Sequence, residues 1–165
     1  MAETDDERPQ TDERHPAEVV TGMVADVLDL AATWTAWDGV PVRTDDGRTY
    51  TPHKAIRRVA DHLVDHLAEM EARLAGVPTI PDHWHASAIT TAADLAPFTP
   101  DDLDEARSRL TRLAQIWDVR LHATPPAHLD TASTPTQWTL RQVAFHLADS
   151  LYYATSIGRL DQVTR

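Results

Sequence analysis

The chain has 165 residues, 42% of them hydrophobic, with nine histidines, no cysteine and a formal charge of −11. That length suits one domain with a sizeable core, and the missing cysteines exclude disulfides, thiolate metal ligands and a thiol nucleophile. The acidic balance, with no basic stripe interleaved with aromatics, opposes phosphate backbones and anionic lipid, so neither nucleic acid nor a membrane surface is an expected partner.

Residues 1–14 hold six acids (Glu3, Asp5, Asp6, Glu7, Asp12, Glu13), two arginines and almost no large apolar side chain. Such a segment cannot offset its own ordering entropy, so a disordered acidic tail is expected there, followed by a single domain over residues 15–165. With no basic-then-apolar leader and no run of 18 apolar residues, neither a secretion signal nor a membrane span is expected, and the reading is cytoplasmic. Basic residues are almost all arginine, Lys54 being the only lysine, a usage associated with GC-rich bacterial genomes.

Four apolar stripes follow at alternating steps of three and four residues, the spacing that keeps side chains on one helical face. The first is Val20, Met23, Val27, Leu30, Trp34, Trp37, and it ends at Asp38-Gly39. Val40 to Tyr50 then contains Asp45-Asp46-Gly47, a turn signal that suits a small hairpin. The second stripe is Ile56, Val59, Leu63, Leu67, Met70, Leu74, closed by Gly76. A long connection to Thr99 carries Pro78, Pro81, Pro97 and a His83-Trp84-His85 cluster; it should cross one end of the fold, covering a pocket mouth or lying as a surface loop anchored by Trp84. The third stripe is Leu103, Ala106, Leu110, Leu113, Trp117, Leu121, with Pro125-Pro126 after it, and the fourth is Leu140, Val143, Leu147, Leu151, Ala154. Pro16, Pro52, Pro100 and Pro135 stand where a first helical position would accept them. Thr99 with Asp102, and Thr134 with Gln137, have capping-box spacing. Four helices of about 20 residues, each about 30 Å long, are therefore predicted, an all-α four-helix bundle with a long second connection. Trp34, Trp37, Trp117 and Trp138 fall on or beside the stripes and are read as core filling.

One phrase occurs twice. Val59-Ala60-Asp61-His62-Leu63-Val64-Asp65 returns as Val143-Ala144-Phe145-His146-Leu147-Ala148-Asp149, matching at five of seven places. In a bundle with an internal pseudo-two-fold, this repeat would aim His62 and His146 at one interior point. His66, one turn after His62, could grip the same ion, which gives three imidazoles with open positions for water or substrate, the arrangement of a catalytic divalent ion. Asp65 and Asp149 each follow a repeated histidine by three residues and could accept hydrogen bonds from the ligands. Gln142, Ser150 and Trp84 are candidates for orienting a substrate, and Tyr153, two turns beyond His146, for hydrogen bonding or proton transfer beside the ion together with Asp149. The plain alternative is that these histidines simply bond carbonyls at the edge of an apolar stripe. Arg57 and Arg141 correspond in the repeat and are given no site.

With proline-started helices, Trp138-Thr139-Leu140-Arg141-Gln142-Val143-Ala144-Phe145-His146-Leu147-Ala148-Asp149 and the earlier copy, the chain resembles the DinB/YfiT-like superfamily over about residues 16–160. The resemblance implies a four-helix bundle, commonly a homodimer, with a divalent metal (Zn²⁺, Ni²⁺ or Fe²⁺) held by histidines at one end. Its members include bacillithiol and mycothiol S-transferases, mycothiol-dependent maleylpyruvate isomerase and metal-dependent hydrolases. By position His62 looks like the second-helix ligand and His146 like the fourth-helix ligand of the isomerase pattern, which has a glutamate where this chain has Gln142. Other members carry ligand histidines at the places of Ser150 and Ala154. Either His66 replaces the missing ligand, or the metal was lost while the bundle was kept.

Three readings of function follow. The first is a metal-dependent transferase, isomerase or hydrolase acting on a small molecule, with any thiol coming from a cofactor such as mycothiol because the chain has no cysteine. The second is a metal-free binding or dimerisation module. The third uses Asp65, Asp149 or a histidine as a general base without metal.

Overall fold

The computed structural model describes residues 8–81 and 86–160. Glu3, Asp5, Asp6 and Glu7 of the expected tail, and the His83-Trp84-His85 cluster with the candidate substrate contact Trp84, lie outside the described residues.

Proline at a first helical turn sacrifices only an amide that would have had no partner, and its fixed φ already matches the helix. Helices α1 (Pro16–Ala31), α2 (Pro52–Ala75) and α3 (Pro100–Ala123) begin at three of the prolines singled out above. The orphan amides of each first turn find side-chain acceptors. His15 Nδ1 accepts from Ala17 N at 3.2 Å, Thr51 Oγ1 accepts from Lys54 N at 3.2 Å, and Thr99 and Asp102 cap one another. Helix α2 stops at Gly76, whose φ of 69° is the left-handed conformation that glycine adopts without steric cost. Helix α3 stops before Pro125-Pro126, and Pro126 opens the single turn α4 (Pro126–Leu129).

Two boundaries differ from expectation. The first helix ends at Ala31 rather than at Asp38-Gly39, passing into a tight turn over Trp34–Ala36. Thr33 turns its hydroxyl back onto the Leu30 carbonyl at 2.8 Å and accepts from Leu160 N at 2.9 Å, while Trp34 donates its indole N–H to the Gly158 carbonyl at 2.8 Å. These long-range contacts fix the chain against its C-terminal end and outcompete one more helical turn. The last helix, α5 (Leu140–Leu147), starts five residues after Pro135, because Thr139 and Gln142 form a capping box that Thr134 and Gln137 do not. After α5 a three-residue turn, Ala148–Ser150, winds tighter than α-helix before α6 (Leu151–Thr155) resumes. A turn of three residues advances about 20° further per residue than one of 3.6, so it rotates α6 relative to α5.

Among the described residues the fold is all-α apart from one hairpin, in which β1 (Val42–Arg43) pairs antiparallel with β2 (Thr49–Tyr50), Val42 opposite Tyr50. Its turn uses Gly47 at a φ of 79°. Helix α1 packs on α3, α5 and α6, and α2 packs on α3, α5 and α6, around one apolar core. Trp34 and Trp117 are fully buried in it, as the stripes imply, whereas Trp37 and Trp138 are half-buried. Trp117 also donates to the Leu63 carbonyl at 3.1 Å, which ties α3 to α2 one residue from His62. The stretch Pro16–Ala36 is long and apolar enough, by composition alone, to cross a membrane; here Val20, Met23, Val24 and Val27 of that stretch belong to the core.

Candidate metal centre

Four residues per turn-and-a-bit of helix place His62 and His66 on the same edge of α2, where their rings stack at 5.1 Å between centroids. From α5, His146 enters edge-on to both, with centroids 5.1 Å from His62 and 5.4 Å from His66. Each imidazole offers a ligand nitrogen, and the three nitrogens lie within 4.8 Å of one another. Among the described residues no other group of histidines and acids converges in this way. The Nε2 atoms of His62 and His146 are 3.2 Å apart, close to the roughly 3.3 Å expected of two nitrogens bound to one tetrahedral zinc.

A metal-binding imidazole usually has its second nitrogen held, which fixes tautomer and ring orientation. His66 Nδ1 donates to Glu69 Oε2 at 2.8 Å. Glu69 in turn accepts from Arg73 at 3.1 Å, and Arg73 donates to the Trp138 carbonyl at 2.8 Å, so the chain of contacts reaches from α2 to the start of α5. The hydrogen bond from His66 holds the Glu69 carboxyl below its ordinary range against the opposing effect of burial, with Arg73 adding to it. His146 Nδ1 lies 3.3 Å from Asp149 Oδ2. Burial, and then the neighbouring His66, push His146 below the usual imidazole range, against the pull of Asp149, so its ring favours the neutral form that a metal requires. His62 Nδ1 lies 3.4 Å from the Tyr153 hydroxyl. His62 and His146 thus face each other through Nε2, and each of the three rings has a polar neighbour at Nδ1.

No family model, curated protein or solved structure matches this chain.

The remaining candidates fall at different distances from the centre. Tyr153 reaches it, its hydroxyl 3.4 Å from His62 Nδ1. Asp149 touches His146 from an outer position, with its side chain 75% exposed. Gln142 accepts from Thr139 N at 2.9 Å, so its side chain is committed to capping α5. Ser150 is buried, and its hydroxyl makes no hydrogen bond among the described residues. Of the paired arginines, Arg57 binds Asp94 and Arg141 binds Asp130 at 2.6 Å.

The repeat singled out neither Glu69 and Arg73, which lie beyond it, nor Arg58, whose counterpart is Gln142. The signal was nevertheless present as spacing, because Glu69 is three residues after His66 and Arg73 four after Glu69, both on one helical face. An open cleft of about 200 Å³ borders the centre, lined by Arg58, His62, Asp65, His66, Glu69 and the Thr79-Ile80 segment.

Proposed function

We propose that this chain is a metal-dependent enzyme acting on a small molecule, of the kind found among the DinB/YfiT-like transferases, isomerases and hydrolases, with His62, His66 and His146 as ligands of one divalent ion. The observation that carries this reading is the convergence of three imidazoles whose second nitrogens each have a polar neighbour. An ion held there would act as a Lewis acid and lower the pKa of a bound water or thiol toward neutrality. The protein's own part is orientation. Glu69 fixes His66, Asp149 stands beside His146, and Tyr153 places a hydroxyl where it can donate to or accept from a bound molecule. In the transferase version the thiol is supplied by a cosubstrate such as mycothiol. Four-helix architecture of the DinB type belongs to the same proposal, supported by three long helices, the broken α5–α6 helix and the histidine repeat.

A second reading has its own support. At 3.2 Å, His62 Nε2–H can donate to His146 Nε2, and the Tyr153 hydroxyl can donate to His62 Nδ1, so a metal-free chain can satisfy these rings internally. Elemental analysis of protein purified without a histidine tag decides between them. Near one equivalent of zinc, nickel or iron per chain, lost in His62→Ala and in His146→Ala, is the expected result. A folded chain that holds no metal and ignores added Zn²⁺ or Ni²⁺ would establish the metal-free module instead.

A further inference from the structure

Arg58 lies on α2 one turn before His62, only 9% exposed, and lines the same cleft as His62 and His66. A guanidinium cannot shed its charge, so at that depth it needs acceptors. Its Nε donates to Ser87 Oγ at 2.9 Å, but its two terminal nitrogens make only long contacts, one with Asp61 Oδ2 and one with Tyr153 Oη, both at 3.4 Å. The neighbouring arginines are differently placed. Arg57 grips both oxygens of Asp94 at 3.0 and 2.8 Å, and Arg73 is held by Glu69 and the Trp138 carbonyl. Asp61 is itself shared with Arg57, at 3.7 Å, and its side chain is 37% exposed. Of the acids lining the cleft, Glu69 is engaged by His66 and Arg73, and Asp65 is also engaged. The loosely held positive charge therefore sits at the Arg58 end.

We infer that Arg58, steadied by Tyr153, is the seat for a carboxylate of the ligand, and that the molecule bound here is a small organic acid. This rests on the metal reading above. The Arg58 guanidinium carbon lies over the Tyr153 ring, 5.2 Å from its centre, a cation–π contact that steadies it, and its two terminal nitrogens match the two oxygens of a carboxylate. The carboxylate displaces the weak contact with Asp61. Tyr153 Oη touches both His62 Nδ1 and Arg58, each at 3.4 Å, and Arg58 lines the same cleft as His62 and His66, so the anion seat and the imidazoles open onto one space. The ligand accordingly carries a carboxylate in addition to its metal-binding group, and the 200 Å³ cleft is smaller than the ~300–1,000 Å³ of drug-sized sites, which suits a small molecule.

The test uses the full chain loaded with Co²⁺, whose thiolate charge-transfer absorption reports occupancy at the ion. Cobalt content is measured first. β-Mercaptopropionate and its neutral amide are then titrated. The acid should bind about tenfold tighter than the amide. Arg58→Gln should remove most of that preference with cobalt content unchanged, and Arg58→Lys should keep part of it, since the charge remains while the fork is lost. Equal binding of acid and amide by the parent chain, or a preference that survives Arg58→Gln in protein with intact cobalt and helix content, overturns the carboxylate seat and leaves the metal reading standing. A parent chain that takes up no cobalt overturns the metal reading, and this inference falls with it.

Discussion

The Nε2 atoms of His62 and His146, 84 residues apart in the chain, stand 3.2 Å from each other across the contact between α2 and α5. An ion bound between them would join the two helices, so metal binding would add to folding stability. At a free Zn²⁺ concentration one hundred times its dissociation constant, the gain should be about 2.7 kcal/mol, or about 5–10 °C in melting temperature for a chain of this size. Calorimetry with and without Zn²⁺ checks this. His62→Ala and His146→Ala should melt at the same temperature under both conditions, and a shift equal to the parent's in either variant would place the ion elsewhere.

Glu69 acts on the centre through His66. Its carboxylate fixes the imidazole by a 2.8 Å hydrogen bond and is itself fixed by Arg73. Removing such an outer partner lowers metal affinity about 10- to 100-fold. Glu69→Gln, which keeps an acceptor but loses the charge, belongs at the lower end of that range, and Glu69→Ala at the upper. Competition against a chelator of known affinity measures both, and parent-like affinity in the alanine variant would show that His66 is oriented by other means.

The helical starts were legible in the sequence because proline at a first turn and threonine at a cap are local signals, read without knowing what the helix packs against. Pro16, Pro52 and Pro100 are such cases. Pro135 misleads for the same reason: its local pattern is equally good, but the core needs Leu140, Val143, Ala144 and Leu147 buried, and Thr139 with Gln142 caps the helix that buries them. The end of α1 was illegible because Thr33 and Trp34 are bound by Leu160 and Gly158, partners far along the chain. At the centre, the repeat pointed to His62 and His146, since a shared phrase carries position as well as composition, and the four-residue step from His62 pointed to His66. Glu69 and Arg58 carry no such phrase, and their part follows from which face of α2 borders the cleft. Gln142 shows a signal with two readings, a polar side chain one turn from His146 whose amide oxygen caps α5.

Asp94 is buried and joins the long connection to α2. Burial alone would raise its pKa, yet the hydrogen bond from Arg57 and that from the Thr91 amide outweigh it, so the carboxyl titrates below its ordinary 3.8. Its backbone carbonyl also accepts from Thr51, the cap of α2. Asp94→Asn leaves Arg57 with the longer contact to Asp61, at 3.7 Å, as its counter-charge and should cost about 2 kcal/mol, below the ~3–5 kcal/mol of a fully buried pair because Arg57 is partly exposed and keeps that second acid. A depressed carboxylate binds fewer protons folded than unfolded. Its contribution is therefore full above about pH 4 and is lost as the pH falls through the folded value. Urea unfolding at neutral pH and in acid should show the gap between parent and variant shrinking in acid, and a constant gap would mean that the ion pair contributes nothing.

Lys54, the chain's one lysine, is fully buried on α2, donating to Thr90 Oγ1 at 3.0 Å and standing 5.1 Å from the centre of the Tyr50 ring. Burial, and then the charge of Arg57, push its ammonium below the ordinary lysine range, with Asp94 opposing them. A single hydroxyl and a ring face replace little of the hydration that an ammonium loses. Lys54→Met keeps the length and apolar stem while removing the charge, so it should stabilise the fold by about 1 kcal/mol at neutral pH. The sign of the pH dependence distinguishes this from better packing. A lysine whose folded pKa is lowered binds fewer protons folded than unfolded, so the parent gains stability as the pH rises between the folded value and 10.5, whereas the variant does not. The advantage of Lys54→Met should therefore narrow through that window, and Tyr50, common to both chains, cancels from the comparison. An advantage that stays constant would assign the gain to packing, and a variant less stable than the parent at neutral pH would show that the Thr90 bond and the Tyr50 ring fully compensate the buried charge.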